Sequence, residues 1–237
     1  MDKYSQLRLT SIKHSFDNKT VLANISIDIE DEKVTAILGK SGSGKTTLLQ
    51  IVNGMIKPDS GQVKLFGESI QYDYIHALRL KLGYVVQQVA LFPHLTIQSN
   101  ITLLGKITKM SSQTMYKRVL QLIEMMQLSP GCLSQFPHQL SGGEQQRVGL
   151  CRAMFLNPPV LLMDEPFASL DYETKSEIYK HLAKIQQTEP RTIVMVTHDW
   201  EEALKLADRF IWMKDGTIKE QGDKAMLEEL KSTYLAD

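Results

Sequence analysis

The residues Gly39-Lys40-Ser41-Gly42-Ser43-Gly44-Lys45-Thr46 constrain this chain more than any others. They fit G-x-x-x-x-G-K-[ST], a loop whose glycines let the backbone curl until successive N–H groups face the β- and γ-phosphates of a nucleotide. Residues 34–38, Val-Thr-Ala-Ile-Leu, read as a short buried strand before the loop. Residues 45–55 place Leu48, Leu49, Val52 and Met55 at helical spacing after it, so the loop also receives the positive end of a helix. Lys45 supplies a compact positive charge and the Thr46 hydroxyl a ligand for Mg²⁺. The pattern in this context points to nucleotide binding. Alone, it leaves a small-molecule kinase, a GTPase and a helicase open.

The rest of the chain sets the fold around that loop. Ile25, Ile27 and Ile29 alternate with polar residues, as a half-buried strand does. Pro58-Asp59-Ser60-Gly61 is a turn cluster, with a strand at 62–66 after it. Strand texture returns at 83–86, 160–163, 192–196, 210–213 and 217–220, with helices at 173–186 and 200–207 between. This alternation predicts an α/β fold with a mostly parallel sheet covered on both faces, beside an antiparallel β subdomain near the N-terminus. Between about 88 and 156 the texture becomes helical. Met115, Val119, Leu122, Ile123 and Met126 form one apolar face, its methionines read as core packing, and Ser129-Pro130-Gly131 is expected to close that helix. Residues 88–156 are therefore expected as an inserted helical subdomain, with 1–87 and 157–237 forming the core of a single domain.

Composition excludes several alternatives. Of 237 residues 43% are hydrophobic and 23% charged, which is globular and leaves room for a core. Lys plus Arg and Asp plus Glu both number 27, without the basic excess expected of a nucleic-acid binder. Cys132 and Cys151 are too few for a disulfide framework and read as reduced, small apolar side chains of a cytosolic protein. The segment from Met1 to Thr10 lacks a signal-peptide run, and stretches such as 160–163 are too short to span a bilayer. Any role at a membrane is expected to come through a partner.

Three further features gain meaning beside the loop. The apolar run at 160–163 ends in Asp164 and Glu165. In isolation such a pair is a surface cap on a strand. Beside a phosphate loop, Asp164 is placed to hold Mg²⁺ and Glu165 to polarise an attacking water as general base. His198 follows the strand at 192–196, where a histidine can contact the γ-phosphate, and Gln87 follows the strand at 83–86. Taken singly, such a histidine is usually structural and such a glutamine merely polar.

Leu140-Ser141-Gly142-Gly143-Glu144-Gln145-Gln146-Arg147 makes the set specific. A serine hydroxyl, two glycines and a helix N-terminus form a second anion site, although Ser141 with Glu144 also reads locally as a simple helix cap. The stretch resembles the signature motif of ABC ATPases, and the resemblance covers essentially the whole chain. It implies that ATP lies between the phosphate loop of one subunit and the signature (Ser141, Gly142, Gly143, Glu144) of another. It also implies that Phe16 stacks on adenine beside Val21, that phosphate contacts continue to Thr47, and that Gln87 is the Q-loop residue near Mg²⁺ and water. Ser169-Leu170-Asp171 corresponds to the D-loop and His198 to the switch histidine. Glu32 departs from the pattern, since many relatives have a turn glycine there.

Residues 83–96 and Asn157-Pro158-Pro159 look like segments of bacterial importers, closest to those for osmoprotectants such as glycine betaine or for polar amino acids. The Gln87-Gln88 pair and the Asn157-Pro158-Pro159 run lean toward the osmoprotectant group. The resemblance implies ATP and Mg²⁺ as cofactors, a transmembrane permease and a second ATPase subunit as partners, and a solute-binding protein reached through the permease. It also implies a peripheral position on the cytoplasmic face of the plasma membrane. An exporter or lipid-handling ATPase, and a soluble ABC protein of ribosomes or DNA, are the alternatives. Many such relatives carry C-terminal regulatory domains; with the last helix expected to end near Leu235, none is expected here.

Overall fold

The computed structural model describes residues 6–87, 90–168 and 170–234. Residues 1–5 of the N-terminal segment, Gln88 and Val89 of the importer-like segment, Ser169 of the D-loop and Leu235 lie outside the described residues.

Strands β1 (Leu7–Phe16), β2 (Lys19–Ile29), β4 (Ser60–Leu65) and β5 (Glu68–Ser69) form an antiparallel sheet in the order β2-β1-β4-β5. Strand β3 (Val34–Leu38) leaves that sheet for a second one. The second sheet runs β10-β9-β3-β8-β7-β6, with β6 (Leu82–Val85), β7 (Val160–Asp164), β8 (Thr192–Thr197), β9 (Arg209–Lys214) and β10 (Thr217–Asp223). Its pairings are parallel from β6 through β9, and only the edge pair β9–β10 is antiparallel. Both expected sheets are therefore present. Strands β3, β7 and β8 are buried at every position, as a parallel sheet covered on both faces requires.

The two faces bury different partners. Ile37, Leu162, Val194 and Val196 point toward α1 (Lys45–Val52) and the antiparallel sheet, packing with Leu48 and Leu49. Ala36, Leu161, Met163 and Met195 point the other way and join Val119, Leu122, Val148, Leu150, Ile178 and Leu182. These last six belong to α5 (Ser112–Met125), α6 (Gly142–Met154) and α7 (Tyr172–Thr188). Helix α1 and helix α6 thus lie on opposite faces of the second sheet. Short helices α2 (His76–Arg79), α3 (Ile97–Ile101) and α4 (Leu103–Ile107), then α8 (Trp200–Leu206) and α9 (Lys224–Tyr234), complete the chain. Helices α3 to α6 fall within residues 88–156.

Two helix ends differ from the sequence reading. Helix α1 stops at Val52: Asn53 caps it and Gly54 turns to φ 69°, which leaves Met55 58% exposed. Ser129-Pro130-Gly131 does not close α5, which ends at Met125 where Gln127 enters the left-handed region at φ 49°. Ser129 instead caps a 3₁₀ turn, Pro130–Ser134, by accepting from the Gly131 N–H. Glu32 sits at φ 58°, a conformation that glycine adopts at no steric cost, which is the physical sense of a glycine at that turn in relatives. Cys132 and Cys151 are both free and buried.

Candidate active site

The predicted phosphate loop leaves β3 and enters α1 through Gly44, which sits at φ 96°. A Cβ there would lie 2.7 Å from Leu22 Cδ2 and 2.8 Å from the Val21 carbonyl oxygen, so the loop needs glycine for both shape and space. No side chain caps α1, and its first N–H groups are left for an anion. Ser43 Oγ is buried inside the loop with no hydrogen-bond partner among the described residues. Lys45 is 5% exposed, and its ammonium donates to the loop's own carbonyls, Gly39 O at 2.8 Å and Lys40 O at 3.1 Å. Burial lowers its pKa, opposed by the charges of Glu165 and Asp164. An orphaned hydroxyl, an uncapped helix end and an ammonium folded onto carbonyls fit a phosphate chain that would take all three.

The acidic pair stands beside this loop. Thr46 Oγ1 donates to Asp164 Oδ1 at 3.0 Å. Asp164 is 7% exposed, and burial holds its carboxyl above the usual range, with the Glu165 charge adding and Thr46 and Lys45 opposing. The Thr46 hydroxyl beside the buried Asp164 carboxylate is a hard, all-oxygen donor set that fits Mg²⁺. Glu165 sits at φ 42°, a conformation costing on the order of 1–3 kcal/mol for a residue with a Cβ. Its N–H donates to Val196 O at 2.9 Å, and its carbonyl accepts from the Ala168 N–H at 3.3 Å. That turn lifts the carboxylate out of the line of β7. Glu165 Oε2 then accepts from Gln87 Nε2 at 3.1 Å and lies 3.3 Å from His198 Nδ1.

These residues arrive from four consecutive strands. In the order β3-β8-β7-β6, the loop follows β3, His198 follows β8, Asp164 and Glu165 end β7, and Gln87 follows β6. The carboxyl edge of a parallel sheet is where such folds bind ligands.

The remaining predicted site residues stand elsewhere. Phe16 is 46% exposed at the end of β1, with His14 edge-on at 4.6 Å, and Val21 packs partly buried near the loop. Thr47 lies half-buried in the first turn of α1. The signature residues open α6 on the opposite face. Ser141 Oγ accepts the Glu144 N–H at 3.3 Å, while Glu144 Oε2 accepts from Ser141 N at 2.9 Å and Ser141 Oγ at 2.8 Å. This reciprocal cap holds the Glu144 carboxyl below its ordinary pKa, through the Ser141 N–H and then its hydroxyl. Gly142 is open, whereas a Cβ on Gly143 would lie 2.4 Å from Thr174 Cγ2. Thr174 in turn bonds Asp171, the residue that caps α7. The second glycine is therefore a close approach between the signature helix and the helix that follows the D-loop.

Sequence reasoning missed the residues that hold these pieces. Gln146 is buried and donates Nε2 to Pro166 O, tying α6 to the turn after Glu165. Buried Thr197 and Glu202, with half-buried Lys175, form a bonded group beside His198. Glu202 in the first turn of a helix reads as an ordinary dipole partner, which hides it.

The fold and this cluster define a P-loop nucleotide-binding protein. The sequence pattern of the ABC transporter family matches residues 22–168, and the chain belongs to that family. A glycine betaine/carnitine/choline transport ATP-binding protein of Bacillus subtilis, OpuCA, is 43% identical over 86% of this chain and 54% of its own length. A glycine betaine uptake system ATP-binding protein of Escherichia coli, YehX, is 35% identical over 92% of this chain and 70% of its own length. The chain thus spans about half the length of several curated relatives it matches. Among solved structures, a dimeric post-hydrolysis state of the ATP-binding cassette MJ0796 bound to ADP and Pi aligns at TM-score 0.83 and 33% identity. That alignment covers 92% of this chain and 98% of the other. Among the described residues no helix is long and apolar enough to cross a membrane.

Because the fold raises the Asp164 pKa, the charged carboxylate opposes folding of the nucleotide-free chain at neutral pH. Asp164→Asn, which keeps an acceptor for Thr46, is expected to raise the thermal midpoint of the nucleotide-free chain at pH 7. The native chain takes up its proton as pH falls through the raised folded pKa, so the advantage of the variant should shrink there. Melting curves of both chains across pH check this, and a gap that widens on acidification contradicts it.

Proposed function

We propose that this chain is the ATP-hydrolysing subunit of an importer for small polar solutes, working as one half of a pair of such chains. The observation that carries the reading is the placement of its two phosphate-binding surfaces. The loop at Gly39–Thr46 leads into α1 on one face of the sheet, and Ser141 opens α6 on the other. A nucleotide needing both is served by the loop of one chain and the signature of another. The dimeric state of the cassette MJ0796 supports that pairing.

In this reading Phe16 stacks on adenine beside Val21. The loop N–H groups from Gly39 to Thr47 receive the phosphates, and Lys45 leaves the Gly39 and Lys40 carbonyls for them. Thr46, Asp164 and Gln87 would hold Mg²⁺, which when bound neutralises charge on the β- and γ-phosphates. Water attacks the γ-phosphorus, Glu165 takes its proton, and the bond to the β–γ bridging oxygen breaks to leave ADP and phosphate. His198, 3.3 Å from Glu165, orients that water and carboxylate. The signature of the partner chain (Ser141, Gly142, Gly143 and Glu144) closes on the γ-phosphate, with Asp171 at the seam. Glu144 first has to release Ser141, whose hydroxyl it holds at 2.8 Å.

The chain acts as a single cassette, with the helical insertion as its arm. Gln87 links the arm to the chemistry, since it bonds Glu165 and begins the connection to α3. Residues 92–96 and that connection would pass closure to the cytoplasmic part of a permease, with the chain held peripherally on the cytoplasmic face. Relatives that are glycine betaine, choline and carnitine transport subunits favour quaternary-amine osmoprotectants as cargo, delivered through a solute-binding protein.

Glu165→Gln is expected to bind Mg-ATP as the native chain does and to lose kcat by on the order of a hundredfold or more. Steady-state ATPase and nucleotide titration check this, and native turnover in the variant removes Glu165 from the base role. The tagged native chain, extracted from its own membranes, is expected to carry a permease with it. Recovery with ribosomal or DNA-repair proteins instead would end the transport reading while leaving the chemistry.

A further inference from the structure

His198 reaches the site from an exposed position. Its side chain is 59% exposed, and Glu165 at 3.3 Å is its one partner among the described residues. A ring with one polar contact is aimed chiefly by its backbone, and both neighbours of His198 are tied down. Thr197 is buried, donates Oγ1 to Glu202 Oε2 at 2.6 Å, and accepts the Asp199 N–H at 3.0 Å. Asp199 Oδ1 accepts the N–H groups of Glu201 at 2.8 Å and Glu202 at 3.4 Å, capping α8.

The Glu202 carboxylate joins this turn to α7. Its side chain is 2% exposed, and Oε1 accepts from Lys175 Nζ at 2.8 Å. Lys175 also lies 3.5 Å from Asp199 Oδ2. Burial, with the charges of Glu202 and Asp199 adding, raises the pKa of the Tyr179 phenol one turn further along α7. Burial works against the Lys175 charge, but the bond and charge of Glu202, with Asp199, outweigh it, and its pKa is raised. Lys175 stands one turn into α7, where its N–H bonds Asp171 O at 3.0 Å. The same first turn holds Thr174, bonded to Asp171 and packed where a Gly143 Cβ would be.

A buried ion pair is often no more stabilising than apolar side chains of the same volume. What apolar groups cannot supply is directed bonds to both flanks of a turn. We propose that Lys175 and Glu202 are positioning residues for His198, fixing its turn to the first turn of α7 beside Asp171. The inference rests on the proposed ATPase reading of the site. It makes the aim of the histidine depend on the segment that also touches the signature helix, so that a shift at one phosphate-binding surface is felt at the other.

The test is a double-mutant cycle on the full chain, following ATPase kcat and KM with thermal melting as the check on folding. Lys175→Met is expected to lower kcat ten- to a hundredfold, the cost of a small misplacement of a reacting group, with KM for ATP changed less than about twofold. Lys175→Arg should restore most of the rate. In a His198→Ala background, Lys175→Met should cause no further fall. Lys175→Met leaves a buried carboxylate unpaired, so Lys175→Met/Glu202→Gln, which removes both charges, serves where the single variant melts early and should show the same kcat loss. An equal loss with and without His198 makes the pair merely structural and overturns the proposal. A His198→Ala chain as fast as the native one removes His198 from the chemistry, which overturns the site reading and the clamp together.

Discussion

The hydrogen bond from Thr46 Oγ1 to Asp164 Oδ1 joins the phosphate loop to the end of β7 across the end of β8. It brings a helix N-terminus, a buried carboxylate and an ammonium into one small volume, and the other parts of the site are arranged about it. Glu165 can lean back toward Gln87 and His198 only because the backbone breaks into the left-handed region directly after Asp164. The strain there, on the order of 1–3 kcal/mol, is carried by a sheet whose central strands are buried throughout.

Each of the two proposed phosphate-binding surfaces is engaged by the chain's own groups. Lys45 is turned onto two carbonyls, and Ser141 onto Glu144. A helix cap of the Ser141 kind is worth about 1 kcal/mol, so a nucleotide must offer more than it displaces on both faces of the sheet. Lys45 and Asp164 are both driven toward neutrality by burial. Phosphates with their counter-ion would reverse that balance, which would give the proposed closure its energy source in simple electrostatics.

Much of this was legible in the sequence, for identifiable reasons. The loop needs glycine at a positive φ and lysine at a helix start, and Gly44 and Lys45 meet those demands in one short pattern. Buried parallel strands declare themselves as apolar runs, so the edge carrying Asp164, Glu165, His198 and Gln87 followed from their positions after those runs. The end of α5 did not, because Ser129-Pro130-Gly131 is an equally good opening for a 3₁₀ turn, and Gln127 at φ 49° has no turn-residue signature. Lys175 and Glu202 were invisible for a different reason: they are 27 positions apart, each is ordinary on its own helix, and only the packing of α7 against α8 makes them a pair.

The central claim is that the two phosphate-binding surfaces of one chain serve two different nucleotides, and subunit mixing tests it most directly. Lys45→Ala leaves the signature intact with a disabled loop, and Ser141→Arg leaves the loop intact with a disabled signature. Each chain alone should hydrolyse ATP at background rate. Mixed, they should regain a substantial part of native activity, since a mixed pair holds one complete site, formed by the loop of the Ser141→Arg chain and the signature of the Lys45→Ala chain. No recovery on mixing, or native turnover by the Ser141→Arg chain alone, would contradict the account.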